Sequence, residues 1–388
     1  LIWLHGASIG ETASMAPLIA AIHAMSAPPA LLVTSGTVTA AARLAETLPE
    51  GVLHHYVPVD TAPAVRRFLA HWRPDLAIWV ESEFWPGLML RTARAGVPMM
   101  LVNARLSAKS ARAWARVPAM ARRLVTLFDN VLTQDGATVE RLVALGRPRD
   151  ATHHAGNLKA AIPPPGCNAR ELEASGAALS GRPVWLAAST HPGEETVVIA
   201  AHRRLAPSFP GLVTLLAPRH PDRAEAIAAE IEGTLGSPPT RRSRGDGPPT
   251  AAGIWLADSL GEMGIWYRLS PVAFVGGSIA TRGGHNPFEP AALGAAILHG
   301  PSTENFAPSY AALTVAGAAR QVGDDASLAE ALRGLLAHDG SRSPAAIALA
   351  EAGQNALAPL KPDVDAIAEE AMRLMARGTP VCQTRLGG

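Results

Sequence analysis

Short apolar runs alternate with amphipathic segments along most of the chain. Polar or glycine-rich turns bound the runs, which is the pattern of buried parallel strands that are each followed by a helix. In the first half we predict strands at residues 1–5, 30–34, 52–57, 75–80, 98–103 and 131–134. In the second half we predict strands at residues 184–188, 212–217, 254–257, 272–275 and 295–299.

A proline-rich stretch at residues 161–168, AIPPPGCN, separates the two strand–helix arrays and is typical of a linker. A chain of 388 residues is also too long for one ordinary hydrophobic core. We therefore predict an α/β protein with two Rossmann-like, doubly wound domains facing a cleft. The predicted domains are residues 1–162 and 163–362, and a C-terminal helix and tail at 363–388 pack back on the first domain.

Composition indicates a folded protein, since 48% of the residues are hydrophobic and 17% are charged. The net charge of +1 gives no overall attraction to nucleic acid. The cysteines, Cys167 and Cys382, have no metal-ligand spacing and favour a reducing compartment. No run of eighteen apolar residues is present, so no membrane span is predicted. The sequence opens directly on a strand at Leu1, and we expect that a segment precedes it.

Basic residues cluster in the first half of the chain, mainly on a helix predicted at 105–123. The cluster consists of Arg66, Arg67, Arg105, Lys109, Arg112, Arg116, Arg122 and Arg123. Two interpretations stay open: solvated helix faces, or a cationic rim for an anionic substrate or a membrane surface.

Carboxylates follow two predicted strands of the first domain. Ser8 and Glu11 have the S-x-x-E spacing of a capping box, but Glu11 also lies where ligands bind in open α/β sheets. Glu81 and Glu83 follow the fourth strand and either cap the helix that begins at Pro86 or act chemically. Lys159 ends a polar stretch, where a lone lysine is usually only solvated.

Residues 272–290, VAFVGGSIATRGGHNPFEP, read as a buried strand, a glycine loop and a helix start. Asn286 suits the N-cap, Pro287 the first helical position, and Glu289 the third. Such a helix start favours an anion such as phosphate, although an ordinary strand–turn–helix corner has the same pattern. The turn at 189–195 resembles a second anion site. Arg219, directly after a strand, suits a phosphate contact.

Other local patterns predict structure rather than chemistry. Asp60 is a possible cap for a helix at 61–71, and Asp363 with Asp365 caps the terminal helix. Residues 237–251 are expected to form an exposed, mobile loop, and residues 258–263 open a helix with S-x-x-E spacing.

Several chemistries lack their motif. The chain has no G-x-G-x-x-G after a first strand, no G-x-x-x-x-G-K-[ST], no H-E-x-x-H and no C-x-x-C. The remaining pattern fits transfer of a group from a phosphate-bearing donor to a hydroxyl, with a carboxylate or histidine as general base.

A series of motifs, in this order and spacing, resembles the bacterial Kdo (3-deoxy-D-manno-octulosonic acid) transferase family over nearly the whole chain. The motifs are HGASIGE (5–11), ESEFWP (81–86), NARLSAKS (103–110), GNLK (156–159), ASTHPGEE (188–195), APRHPDR (217–223), DSLGEM (258–263), GGSIATRGGHNPFEP (276–290) and GPSTENF (300–306). Gly6 and Phe288 stand where many members carry Ala and Leu.

The resemblance implies a GT-B glycosyltransferase that inverts the anomeric centre and needs neither metal nor cofactor. It puts the catalytic base on Glu11, with Glu81 and Lys159 supporting the transition state. It assigns the contacts to the donor nucleotide to Pro218, Arg219, His220, Gly261, Glu262, Met263, Asn286, Pro287, Phe288 and Glu289.

The resemblance further implies CMP-Kdo as donor, the lipid A precursor lipid IVA as acceptor, and the cytoplasmic face of the inner membrane as location, with an anchor ahead of Leu1. Two alternatives remain open. One is another GT-B nucleotide-sugar enzyme, an epimerase or hydrolase, and the other is a non-catalytic protein that binds lipid A or nucleotide.

Overall fold

The computed structural model describes residues 1–81 and 84–378. Glu83 and Cys382, which were considered above, lie outside the described residues. The chain divides into two compact units. Unit 1 combines Leu1–Pro163 with the segment that starts at Leu360, and unit 2 is Pro164–Pro359.

Among the described residues, unit 1 holds a parallel sheet of seven strands in the order β3-β2-β1-β4-β5-β6-β7. The strands are β1 (Ile2–His5), β2 (Leu31–Ser35), β3 (Leu53–Tyr56), β4 (Leu76–Val80), β5 (Met99–Ala104), β6 (Asn130–Thr133) and β7 (Thr152–His154). The sequence pattern predicted the first six. It missed β7 because that edge strand is short and ends in exposed histidines.

The described part of unit 2 repeats this arrangement, with the order β10-β11-β9-β8-β12-β13-β14. Its strands are β8 (Val184–Thr190), β9 (Val213–Pro218), β10 (Thr240–Arg241), β11 (Gly253–Leu256), β12 (Val272–Val275), β13 (Ala296–His299) and β14 (Ala319–Gln321). The predicted strands are again found, and the short edge strands β10 and β14 are additional. The fold is the predicted α/β class.

Helices connect the strands of both units. They are α1 (Ile9–His23), α2 (Val38–Thr47), α3 (Ala62–Trp72), α4 (Pro86–Arg94), α5 (Ala108–Trp114), α6 (Pro118–Val125), α7 (Gly136–Ala144), α8 (Ala169–Ala178), α9 (Glu194–Leu205), α10 (Ala224–Leu235), α11 (Met263–Leu269), α12 (Phe288–Ala292), α13 (Ala307–Val315), α14 (Asp325–Arg333), α15 (Pro344–Leu357) and α16 (Val364–Gly378). Short 3-10 turns occur at Arg149–Ala151, Leu158–Ala161, Pro221–Arg223, Arg242–Arg244, Glu304–Phe306 and Ala358–Leu360.

The terminal helix α16 packs against α1 in unit 1, as predicted. Its apolar stripe joins the core formed by one face of the β-sheet; the stripe consists of Ile367, Ala368, Ala371 and Leu374. Asp363 caps the helix, because its Oδ1 accepts a hydrogen bond from the Ala366 N–H at 3.0 Å. The last described helix therefore completes the first unit.

Two local predictions are wrong, and a third, the exposed and mobile loop at 237–251, is right about the exposure of most of its residues. The basic segment forms two helices, α5 and α6, because Pro118 starts a new helix. Asp60 does not cap α3; its Oδ2 accepts the Gly87 N–H at 3.0 Å and so caps α4. The segment 237–251 is anchored rather than loose, since the Arg241 side chain is buried and its Nε donates to Asp258 at 2.9 Å.

Candidate active site

Each sheet reverses its strand order beside its own first strand. In unit 1 the chain winds outward in one direction from β1 and in the other from β4, and in unit 2 the corresponding neighbours are β8 and β12. Helices leaving such a pair go to opposite faces of the sheet, which opens a crevice at the carboxyl ends of the strands. The residues that directly follow these four strands are therefore the first candidates for a site.

Glu11 lies in the first turn of α1, after β1. Its Oε2 accepts hydrogen bonds from the N–H groups of Ala7 at 2.6 Å and Ser8 at 3.2 Å, while the Ser8 hydroxyl accepts the Glu11 N–H at 3.4 Å. The predicted capping box is thus present. The same bonds fix the orientation of a half-buried carboxylate at the ligand-binding edge of the sheet, so capping and a chemical role are compatible.

Glu81 follows β4, the neighbour of β1. Its backbone has a φ of 62°, in the left-handed region that residues other than glycine seldom adopt. Its Oε1 accepts a hydrogen bond from the Lys159 Nζ at 2.7 Å, and the two side chains are only 15% and 20% exposed. The sequence singled out these two residues separately, and the structure joins them as an ion pair. The alternative of Glu81 as a cap for α4 is wrong, because Asp60 fills that role.

Asn103 supports the turn that carries Lys159. It lies near the end of β5, is 2% exposed and has a φ of 54°. Its Oδ1 accepts the Leu158 N–H at 3.0 Å, and its own carbonyl accepts Gln134 Nε2 at 3.0 Å. Its buried Nδ2 has no hydrogen-bond partner in the part of the chain that the structure describes. Asn103 therefore positions Lys159 through the backbone, a role that the local sequence pattern did not predict.

Glu194 joins the corresponding loops of unit 2. It starts α9 after β8, is fully buried, and accepts the His191 N–H at 2.9 Å. It also accepts the N–H groups of the loop after β12; these belong to Gly277, Ser278, Ile279 and Ala280, at 2.7–3.3 Å. The backbone amides of the glycine loop therefore donate to a carboxylate within the protein. These amides are therefore not available to an external anion.

A cluster of histidines lies at the same edge of unit 2. The rings of His191 and His285 stack, with their Nε2 atoms 2.9 Å apart, and the His220 ring lies 5.7 Å from that of His191. Burial, together with the neighbouring His191 and the Arg219 guanidinium, lowers the pKa of His285 to about 4. Burial likewise lowers the pKa of His191. At neutral pH the rings of His191 and His285 are therefore uncharged hydrogen-bonding groups.

Arg219 is placed by its backbone, whose N–H donates to the Thr190 carbonyl at 3.0 Å. Its exposed guanidinium follows β9 directly, as predicted. Its charge also reaches Glu289: burial raises the pKa of Glu289, whereas the hydrogen bond from Asn286 and the Arg219 charge oppose that rise. Arg219, the histidines and Glu289 therefore form one cluster.

The helix start predicted at Asn286 is displaced. Helix α12 begins at Phe288 and its N-cap is Pro287, without a side-chain cap. Asn286 instead forms a turn in which its Oδ1 accepts the Phe288 N–H at 3.0 Å and its Nδ2 donates to Glu289 Oε1 at 3.1 Å. The reason is that the Asn286 side chain forms an Asx turn, in which it accepts the N–H group two residues later, instead of capping a helix that starts at Pro287. The helix itself is too short to supply a dipole-based anion site.

The donor-side segment 258–263 is also arranged differently from the prediction. Helix α11 starts only at Met263, after an exposed Gly261 with a φ of 83°. Glu262 pairs with Arg242, whose Nε and Nη2 donate to it at 2.7–3.1 Å, and the Ser259 hydroxyl donates to it as well. Hydrogen bonding from Arg242 lowers the pKa of Glu262. Its side chain is thus committed to structure, and the backbone of 261–263 remains as the surface for a ligand.

Comparison with known proteins gives the family. The family model described as 3-deoxy-D-manno-octulosonic-acid transferase (kdotransferase) matches residues 1–162. A 3-deoxy-D-manno-octulosonic acid transferase of Haemophilus influenzae is 33% identical over 79% of this chain and 71% of its own length. One of Bordetella pertussis is 36% identical over 83% of this chain and 76% of its own length. The chain belongs to the Kdo transferase family. It is accordingly an enzyme of the glycosyltransferase class.

Solved structures agree on the fold. The UDP-GlcNAc 2-epimerase of Neisseria meningitidis matches with a TM-score of 0.64 over 97% of this chain and 99% of its own, at 12% identity. A putative UDP-N-acetylglucosamine 2-epimerase of Listeria monocytogenes matches with a TM-score of 0.63 over 100% and 99%, at 15% identity. At such identities the likeness establishes the GT-B fold class and carries no statement about the reaction.

Sequence reasoning missed several residues of the candidate site. His191 and Glu194 lie inside the motif ASTHPGEE, and His285 and Asn103 lie inside two other family motifs, but none received a role. The available signal in the sequence was a carboxylate or a histidine close to the end of a predicted strand. It was not decisive, because the partners lie far away in the chain, as for His191 and His285.

Proposed function

We propose that this member of the Kdo transferase family moves Kdo from CMP-Kdo to the lipid A precursor, lipid IVA, with inversion at the anomeric carbon, in lipopolysaccharide core biosynthesis. One observation carries the proposal. The carboxylate of Glu11 and the Glu81–Lys159 ion pair follow adjacent parallel strands at the point where the sheet of unit 1 reverses its order.

In the proposed reaction, Glu11 takes the proton of the acceptor hydroxyl. The hydroxyl oxygen attacks the anomeric carbon while the bond from that carbon to the phosphate oxygen of CMP breaks, so the configuration inverts. The hydrogen bonds from Ala7 and Ser8 hold the carboxylate in place before the substrate arrives. Lys159, fixed by Glu81, balances the negative charge of the Kdo carboxylate beside the reacting carbon.

On the donor side, the guanidinium of Arg219 is proposed to bind the phosphate, since a planar cation pairs well with oxyanions. Glu289 is proposed to accept hydrogen bonds from the ribose hydroxyls. The remaining contacts are assigned to Pro218, His220, Gly261, Glu262 through its backbone, Met263, Asn286, Pro287 and Phe288. The leaving group is a monophosphate ester, so protein cations are proposed to offset its charge without a metal.

The acceptor and the membrane are proposed to meet α5 and α6. These helices carry exposed basic residues, and Val117 and Met120 at their junction are 50% and 39% exposed. Cations beside exposed apolar side chains suit the headgroup region of an anionic membrane. None of the helices in the described part of the chain is long and apolar enough to cross a bilayer. The proposed location is the cytoplasmic face of the inner membrane.

The test is incubation of the purified protein with CMP-Kdo and tetraacylated lipid A precursor, with products read by mass. We expect one or more added Kdo masses. Glu11→Ala should reduce turnover by about 10²–10⁴-fold, the usual contribution of a general base, with CMP affinity unchanged. Glu140→Ala on the exposed side of α7 is the matched control and should retain full activity.

The outcomes separate the alternatives. A wild-type protein that adds no Kdo but epimerises or hydrolyses a nucleotide sugar would replace the proposal with the other GT-B chemistry. Binding of CMP or lipid without any turnover would favour the non-catalytic alternative. Full transfer activity in Glu11→Ala would remove Glu11 from the role of base.

A further inference from the structure

Unit 1 contains a groove that the proposed chemistry does not use. It has a volume of about 780 Å³ and lies between α1, the end of α2, the segment 161–163 and the start of α16. Along α1 it extends from Thr12 to Ala21, about 14 Å at a rise of 1.5 Å per residue. Its volume falls in the range of about 300–1,000 Å³ that is typical of ligand pockets.

The lining of the groove is mainly apolar. Ile19 and Leu44 are buried at 2% and 4% exposure, whereas Ala13, Ala16 and Ala20 line it as exposed residues of α1. The small side chains on α1 leave room for an occupant, and the larger aliphatic groups provide an apolar surface for it.

Polar lining groups are already paired within their own helices. The Thr12 hydroxyl donates to the carbonyls of Ser8 and Ile9, both at 3.0 Å, and the Thr47 hydroxyl donates to that of Arg43 at 2.8 Å. A ligand with many hydrogen-bonding groups would lose its water here without replacement, which costs free energy. An alkyl chain loses nothing in this way and gains from burial.

Two of the charged groups that line the groove are engaged as well. Arg43 pairs with Glu46 at 2.9 Å, and Asp363 caps α16. Lys361 and Asp365 also line the groove, at exposed positions. The charged groups therefore lie at the edge of the groove, and its interior is left for an uncharged chain.

The groove adjoins the proposed catalytic groups. Thr12 directly follows Glu11 in the chain, and Ala161 belongs to the same 3-10 turn as Lys159. That turn packs against α1. A chain lying in the groove would thus be attached to a headgroup held near the carboxylate and the ammonium.

We infer that the groove binds one acyl chain of the glycolipid acceptor and so aligns the acceptor hydroxyl with Glu11. The inference rests on the proposed function, which supplies an acylated acceptor, and adds to it the site that recognises acylation. The acceptor preference of the enzyme is then set by the residues of α1 and α2 that line the groove.

A binding experiment tests the groove without any turnover. Fluorescent fatty acids of eight to sixteen carbons serve as probes of the intact protein. Affinity should rise about fourfold with each added methylene, the effect of about 0.8 kcal/mol per buried CH₂, and should then level off when the groove is full. A rise without a plateau, or no saturable binding, would contradict the inference.

Matched variants locate the binding. Ala16→Phe fills the groove and should weaken probe binding at least tenfold, and Ala20→Phe is a second variant of the same kind. Ala45→Phe adds the same ring to an exposed position of α2 outside the groove and should change nothing. Thermal unfolding confirms that each variant is folded. Equal binding by Ala16→Phe and Ala45→Phe would show that the chain binds elsewhere.

Transfer assays then connect the groove to the acceptor. For Ala16→Phe we expect the KM for tetraacylated acceptor to rise at least tenfold, with the KM for a deacylated acceptor unchanged. Equal loss on both acceptors would indicate a merely structural effect and overturn the inference. A variant that lost only its affinity for phospholipid vesicles would point to a bilayer lipid as occupant. If the wild type transfers to neither acceptor, the proposed function fails, while the probe series still decides whether the groove takes an acyl chain.

Discussion

Glu194→Gln is the substitution with the sharpest expected consequence outside the proposed catalytic groups. The wild-type carboxylate accepts five backbone N–H groups, with Oε2 facing His191 and Gly277 and Oε1 facing the amides of residues 278–280. Glutamine has the same shape, but one of its two terminal atoms is an NH₂ group. If the amide oxygen takes the three bonds of Oε1, then the NH₂ group faces two N–H donors.

The cost follows from this geometry. A hydrogen bond to a charged group contributes roughly 1.5–3 kcal/mol, and two such bonds are lost, so unit 2 should lose about 3–6 kcal/mol of stability. The three bonds that remain also lose their charge assistance, which makes this figure a lower bound. For a unit of this size, roughly 2–4 °C of melting temperature correspond to each kcal/mol, so a drop of about 6 °C or more is expected.

Calorimetric unfolding and titration with CMP measure the two consequences together. Because Glu194 ties the turn at His191 to the loop after β12, CMP affinity should fall along with the melting temperature. Glu195→Gln is the matched control. That side chain is 1% exposed and, within residues 1–81 and 84–378, its side-chain hydrogen bonds come from Arg223, at 2.8 and 3.4 Å, where an amide oxygen can still accept. If Glu194→Gln melted within about a degree of the wild type and bound CMP equally well, the role of the carboxylate as the anchor of this loop would be refuted.

Three further predictions address other parts of the molecule. Asn103→Leu should lower kcat without changing the KM for the donor, because it releases the turn that carries Lys159. Asn103→Asp keeps the side-chain oxygen that accepts the hydrogen bond and should keep most of the rate. Equal kcat in both variants would refute this. Burial lowers the pKa of His5 to about 4 from an ordinary 6.5, so the unfolded state binds more protons between these values. The contribution of His5 to the stability of unit 1 should therefore be complete above about pH 6.5, and up to about 3 kcal/mol of it should be lost towards pH 4. Urea unfolding of wild type and His5→Gln checks whether the dependence on pH becomes weaker in the variant. Gly276→Ala would place a Cβ 2.6 Å from a backbone carbonyl and should cost at least about 1–3 kcal/mol, whereas Gly233→Ala, which meets nothing, should be neutral or stabilising by thermal unfolding.

The parts of the fold that a local pattern encodes were predictable from sequence. Each long strand is a run of apolar residues, and the capping box of Ser8 and Glu11 depends on a spacing of three, so both are visible in the sequence. The short edge strand β10 was not, because its two residues look like any polar loop until Arg241 meets Asp258. Helix α12 began later than expected because an Asx turn and a helix cap use the same residue types.

The site shows the same division between local and distant information. Glu11, Glu81 and Lys159 were found as family motifs at strand ends, and the structure added that Glu81 and Lys159 pair across 78 positions. Nothing in the sequence near Glu194 indicates that its partners lie more than eighty positions away. Such contacts arise from strand order, since β8 and β12 become neighbours only in the folded sheet.

The packing of α16 on α1 has a consequence for folding during synthesis on the ribosome. The ribosome delivers the first 163 residues long before the helix that covers one face of their sheet, and all of unit 2 is synthesised in between. Unit 2 is continuous in the chain and can reach its native state while the N-terminal half still exposes an apolar surface. Folding of unit 1 can therefore be completed only after unit 2 has been synthesised, because α1, which carries the proposed base Glu11, packs against α16. Loss of α16 would therefore impair unit 1, which holds Glu11, before it affected unit 2, although unit 2 lies nearer to α16 in the sequence.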